Sequence, residues 1–225
     1  MYKQMFRYVQ DHLVAAGCDE ASKSSGYAFR KRSEHIRRVF LWAKRLTEGE
    51  EGINIVAVLT AAIFHDIGYA RLPEEMEHAQ NSAVLCEKYL RENGYDRTFI
   101  DLVTYLVKNH SSKEMLKAAD TPLELILLME ADLLDETGAL SIVWDCMAEG
   151  TKEIQSFEKS YNHILSYSMK ELSINPMITD KAKAFWNDKQ RLAKTFVEQL
   201  RYDLGLQDAS FQATETPYRD IGNEE

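Results

Sequence analysis

The chain has 225 residues, of which 45% are hydrophobic and 28% charged, and 27 basic against 36 acidic side chains give a net charge of −9. At roughly 150 residues per domain this reads as one domain with additions, and the apolar fraction excludes a disordered chain. The acidic balance excludes broad binding to a nucleic-acid backbone, but a small anionic substrate stays open where local cations meet it.

The first helix is predicted over residues 2–16, closed by Gly17, and a small-residue loop follows over 18–26. A second helix runs over 31–47, with Ile36, Val39, Phe40, Ala43 and Leu46 on one face. Asn54 can cap a third, apolar nearly all round over 55–64, which places it in the centre of the fold. It ends on His65-Asp66, and Gly68 permits the turn out. The fourth helix is expected over 74–92, with Ala79, Ala83, Val84 and Leu90 inward. The fifth starts after an Asp96 cap, packs Ile100, Val103, Tyr105, Leu106 and Val107, and reaches His110. Thr121-Pro122-Leu123-Glu124 reads as a helix start with Thr121 as cap and Pro122 in the first turn. That helix carries Asp132 and Asp135, and a short one follows over 138–147. Two more are expected over 152–172 and 179–204, with Phe157, Tyr161, Ile164, Leu165, Phe185, Trp186, Phe196 and Leu200 as packing faces.

No alternating period predicts a strand. The expectation is an all-α protein in three parts: a helix and loop over 1–30, a helical core over 31–150, and C-terminal helices over 151–225 with a polar tail from about 207. Three distant cysteines, Cys18, Cys86 and Cys146, suit a reducing cytoplasm rather than a disulfide framework. The longest apolar run is too short to span a bilayer and no signal-peptide core opens the chain, so a cytoplasmic protein without a membrane partner is expected.

Of six histidines, His12 and His163 read as surface or satisfied core residues. The other four, His35, His65, His78 and His110, lie in or at the ends of predicted helices, and two carboxylates, Asp66 and Asp132, accompany them on apolar elements. Carboxylates on such faces are costly to bury unless paired or bound to a cation. Imidazole and carboxylate together suit a divalent transition ion: manganese, iron, nickel, cobalt or zinc.

The order His35…His65-Asp66…Asp132 resembles the HD-domain metal-dependent phosphohydrolase superfamily. The flanks carry the resemblance too: His35-Ile36-Arg37-Arg38-Val39, Ala61-Ala62-Ile63-Phe64-His65-Asp66-Ile67-Gly68, and the segment from Ala131-Asp132 to Leu140. What this implies is a helical bundle in which His35, His65, Asp66 and Asp132 bind a first metal ion. His78 and His110 sit where some binuclear relatives carry further histidines; a second ion there, or contact with substrate phosphate or water, both stay open. The implied activity is hydrolysis of a phosphate ester or anhydride of a small phosphorylated molecule, with a nucleotide favoured by the analogy. Asp66 would orient the attacking water, and His110 or His78 would protonate the leaving oxygen. Arg38, Arg32, Arg71 and Lys108 are the candidate phosphate contacts, and Asp135 would hold a ligand histidine or an arginine. A homodimer is compatible with the C-terminal helices. Two other readings stay open: a metal-binding regulatory module without turnover, and a di-iron oxygenase on the same scaffold.

Overall fold

The computed structural model describes residues 1–18, 29–70 and 77–206. Arg71, the first turn predicted for the fourth helix, most of the 18–26 loop and the polar tail from 207 lie outside the described residues. Every regular element among the described residues is helical. They are α1 (Tyr2–Ala15), α2 (Arg32–Thr47), α3 (Ile55–Phe64), α4 (His78–Glu92), α5 (Arg97–Asn109), α6 (Leu123–Leu134), α7 (Ala139–Glu149), α8 (Phe157–Ser166), α9 (Ser168–Glu171) and α10 (Asp180–Asp203). Short 3-10 turns occupy Ile67–Ala70 and Lys113–Lys117.

The all-apolar α3 is the axis of the fold: eight of its ten residues are buried, and it touches α1, α2, α4, α5 and α6. Local chemistry sets its ends. The Asn54 side chain accepts from the Ala57 amide at 3.0 Å, and Asp96 caps α5 in the same way through the Phe99 amide at 2.9 Å. The start of α6 differs from the capping-box expectation. Pro122 occupies the cap position, while the Thr121 hydroxyl donates to the Met115 carbonyl of the preceding turn at 2.6 Å. Glu124 instead accepts from the Asn54 amide at 3.1 Å. The Thr121 hydroxyl is thus committed to the preceding turn, whose Met115 carbonyl it shares with the Ala118 amide, and does not cap α6.

The C-terminal helices also depart from the sequence reading. Residues 151 and 152 turn out of the end of α7, where the Thr151 hydroxyl donates to the Ala148 carbonyl at 2.8 Å, and α8 begins only after Ser156, which caps it. The predicted continuous helix then breaks at Tyr167 (φ −117°, ψ −76°) into α8 and α9. Several expected packing residues face outward: Val84, Tyr105, Phe157, Leu165 and Phe196 are exposed, whereas Ile164 and Trp186 are buried. Ile164, Leu172, Met177, Ala182, Trp186, Ala193 and Val197 join one apolar core with α1 to α7.

Glu130 on α6 holds this addition in place. Its buried carboxylate accepts from the Ile178 amide at 2.5 Å, the Thr179 amide at 2.8 Å and the Thr179 hydroxyl at 2.6 Å, at the start of α10. Replacing Glu130 with alanine strands those donors and is expected to lower stability by about 2–3 kcal/mol, read as a lower denaturant midpoint with an unchanged slope.

No helix among the described residues is long and apolar enough to cross a membrane. The three cysteines are free thiols.

Candidate functional site

Six of the residues singled out in the sequence converge. His35 lies in the first turn of α2; His65 caps the C-terminus of α3 and Asp66 follows it; His78 opens α4; His110 caps the C-terminus of α5; Asp132 lies in the last turn of α6. Two of the histidines therefore stand where a helix leaves carbonyls unpaired. His65 Nδ1 is 2.9 Å from the Ala62 carbonyl and His110 Nδ1 is 2.7 Å from the Val107 carbonyl, each three residues back. A ring nitrogen facing a carbonyl must carry the proton, so Nε2 of both rings can present its lone pair inward. His35 is oriented differently, by its Nδ1 against Asp135 Oδ2 at 2.7 Å.

The Nε2 atoms then face each other in pairs: His35 with His65 at 3.2 Å, and His78 with His110 at 3.3 Å. Lone pairs so placed repel unless a proton or a metal lies between them. Asp66 gives one oxygen to each pair. Its Oδ2 is 3.5 Å from His35 Nε2 and 3.6 Å from His65 Nε2, and its Oδ1 is 3.6 Å from His78 Nε2 and 3.5 Å from His110 Nε2. Asp132 Oδ1 completes the first pair, 3.3 Å from His35 Nε2 and 3.8 Å from His65 Nε2. The sets His35, His65, Asp132 and His65, Asp66, His110 each bring their ligand atoms within 4.8 Å of one another. This donor set fits a divalent metal ion.

The electrostatics agree. Burial lowers the His35 pKa, but hydrogen bonds to Asp132 and Asp135 and the field of Asp66 outweigh it and lift it to about 10. Burial pushes His65 down to about 4, so this ring stays neutral. Burial alone would raise Asp66, yet His65, the His110 hydrogen bond and Arg32 hold its carboxyl well below the usual range. For Asp132, Lys113 and His35 likewise overcome burial and keep it ionised. Three carboxylates thus demand positive charge beside His35.

The cluster opens onto a cavity of about 360 Å³ whose wall includes Arg30, Arg32, Tyr69, Lys113 and Trp144. Arg32 Nη1 is 2.7 Å from Asp66 Oδ2, and its guanidinium lies 4.2 Å above the Tyr69 ring, which stacks on His78 at 4.6 Å. Lys113 Nζ donates to Asp132 Oδ2 at 2.7 Å. Arg38 is drawn aside to Asp135 at 2.8 Å and does not line this cavity. Lys108 is exposed on α5 and is also absent from the wall. Arg30 and Lys113 are the cavity cations that sequence reasoning missed. Lys113 follows His110 by three residues, the one signal that could have drawn attention to it.

Asp135 joins two of the expected partners, accepting from both His35 and Arg38. It opens a turn that contains Glu136 at φ 53°, the one non-glycine residue with positive φ among the described residues. Such backbone is strained for an L-residue. Glu136 also accepts from Arg30 at 2.6 Å and Arg38 at 3.3 Å, which ties the turn to the cavity wall.

No curated protein matches the chain significantly. Solved structures do. A protein described as a predicted HD superfamily hydrolase from an uncultured Thermotogales bacterium aligns with TM-score 0.63 and 19% identity, over 90% of this chain and 92% of that one. An HD-superfamily hydrolase from Bacillus thuringiensis aligns with TM-score 0.60 and 23% identity, over 89% and 98%. Bacillus subtilis YpgQ in complex with ADP aligns with TM-score 0.60 and 21% identity, over 89% and 93%. At these identities the likeness speaks for the fold. The HD domain family model matches residues 32–137, the segment that carries all six converging residues. Residues 32–137 are thus the part of the chain that matches the HD domain family, and helices are added on either side of it.

Proposed function

We propose that this chain is a divalent-metal-dependent phosphohydrolase that cleaves a phosphate ester or anhydride of a small phosphorylated molecule, a nucleotide in the first instance. The observation that carries the reading is the convergence of four imidazole Nε2 atoms on the two oxygens of Asp66, beside a cavity lined by Arg30, Arg32 and Lys113. His35, His65, Asp66 and Asp132 would hold one ion, and His78 and His110 with the other oxygen of Asp66 a second. When bound, such ions acidify water near neutral pH and polarise a phosphoryl oxygen. Manganese, iron, nickel, cobalt and zinc all suit this donor set.

The protein's own groups do the rest. Arg32 and Arg30 offer guanidinium forks to phosphate oxygens, and Lys113 adds a point charge from the opposite side of Asp132. Arg32 is positioned by Tyr69, so it can turn from Asp66 to a phosphate without leaving the cavity. Asp66, placed between both imidazole pairs, orients the attacking water. His78, 29% exposed at its side chain, is the imidazole best placed to give a proton to the leaving oxygen when it holds no ion. The nucleotide preference is supported by the ADP bound to the Bacillus subtilis relative, and Trp144 and Tyr69 supply aromatic surface in the cavity wall.

The test is a metal-dependent phosphate-release screen over nucleoside mono-, di- and triphosphates and simple phosphomonoesters. Hydrolysis that needs added metal and stops with chelator is expected; bound metal without turnover on the whole panel would favour a non-catalytic module.

Two expected results sharpen the reading. Asp135→Asn removes the charge that orients His35 and should weaken metal binding about 10- to 100-fold in calorimetric titration. His35, with a pKa of about 10 in the metal-free chain, carries a proton at pH 8 that an ion must displace. Metal binding should therefore release protons and weaken as pH falls, visible as a binding enthalpy that depends on the ionisation enthalpy of the buffer.

A further inference from the structure

We propose that a second cavity, of about 430 Å³ between α2, α10 and the turn from α6 to α7, is a binding site for a phosphate monoester with an apolar group. Its wall carries Trp42, Arg45 and Lys189 with Leu41, Leu140 and Leu192. The Arg45 guanidinium lies 4.6 Å and the Lys189 ammonium 4.7 Å from the centroid of the same indole. Two cations are thus held against one ring, and neither forms an ion pair with a carboxylate among the described residues. Three carboxylates and Arg38 share the same wall, and those carboxylates pair with other cations: Asp188 with Arg191 at 2.9 Å, and Asp135 and Glu136 with Arg38. Like charges gathered at a cavity wall repel until an anion sits between them, and two positive groups match a dianion better than a single negative charge.

The site is built rather than incidental. Lys189 Nζ donates to the Thr137 carbonyl at 3.1 Å, and its stem crosses Gly138 so closely that a Cβ there would lie 2.9 Å from Lys189 Cβ and Cγ. Gly138 (φ 70°) therefore clears the path that carries the ammonium to Trp42. Burial lowers the Lys189 pKa and the neighbouring Arg45 adds to that, against the pull of Asp135. Exposed Leu41, Leu140 and Leu192 offer the apolar part of a ligand its surface. The turn that floors this cavity also carries Asp135, the partner of His35, so a ligand here lies one residue contact from the metal-ligand cluster.

This inference does not depend on the proposed hydrolysis. The experiment is calorimetric titration of the full-length, chelator-treated protein with phenylphosphonate, a dianion that resists hydrolysis. The parent should bind it, Arg45→Gln and Lys189→Gln should each weaken binding by about tenfold, and Arg97→Gln, exposed on α5 and outside both cavities, should leave it unchanged. Arg45 is exposed, so its replacement leaves folding intact. No binding by the parent, or binding weakened by Arg32→Gln, in the other cavity, and not by Arg45→Gln, overturns the proposal.

Discussion

Asp66→Ala is expected to lose bound metal and to lower phosphohydrolase activity by about a thousandfold or more, while circular dichroism keeps the helical signal of the parent. The reason is geometric. Asp66 is the one carboxylate whose oxygens reach all four Nε2 atoms, and no neighbouring acid can substitute for both. Asp132 approaches only the His35 and His65 pair. The loss should exceed that of any single cavity cation, because Arg30, Arg32 and Lys113 share the wall. His65→Ala should behave in the same way, since this fully buried ring has its Nδ1 committed to Ala62 and only Nε2 free for a ligand role. Metal content and phosphate release, measured on the same purified variants, check the expectation. An Asp66→Ala protein that hydrolyses as fast as the parent contradicts the assignment.

Gly68→Ala is expected to be the most damaging small substitution near the site. A Cβ at Gly68 would lie 2.0 Å from the His78 carbonyl, 2.5 Å from the Ser82 amide and 2.7 Å from the Ser82 hydroxyl. Two of these neighbours are backbone, so no side-chain rotation relieves the clash. The Gly68 amide also donates to the Ser82 hydroxyl at 2.8 Å, which fixes the start of α4 against the turn after Asp66. The variant must push α4, and His78 with it, away from His110. A loss of about 3 kcal/mol follows, with a melting temperature lower by roughly 6–12 °C. Thermal unfolding of parent and variant tests this, and an unchanged melting temperature would show that the close approach of α4 is not required.

Much of the site was legible because its residues announce themselves through position as well as type. His65 and His110 end apolar helices, where the free carbonyls at i−3 take the Nδ1 proton and turn Nε2 inward. A polar pair closing an all-apolar helix needs partners, and Asp66 finds them on three other helices. Lys113 and Arg30 were not legible, because a cation in a turn or loop looks the same in sequence whether it meets water or a carboxylate across the fold. For Arg38, its one-turn spacing from His35 suggested phosphate, and in the structure Asp135 on another element holds it. The α8–α9 break at Tyr167 had no proline or glycine to mark it. Val84 and Tyr105 face outward although their helices are amphipathic, since a wide apolar stripe does not say which of its edges the neighbours cover.

The central claim is that side chains from α2, α3, α6 and the turn after α3 clasp a divalent cation. Anomalous diffraction from crystals equilibrated with manganese tests it most directly. A peak within bonding distance of His35 Nε2, His65 Nε2, Asp66 and Asp132 is the predicted result; manganese bound elsewhere with no peak among those four side chains would contradict it.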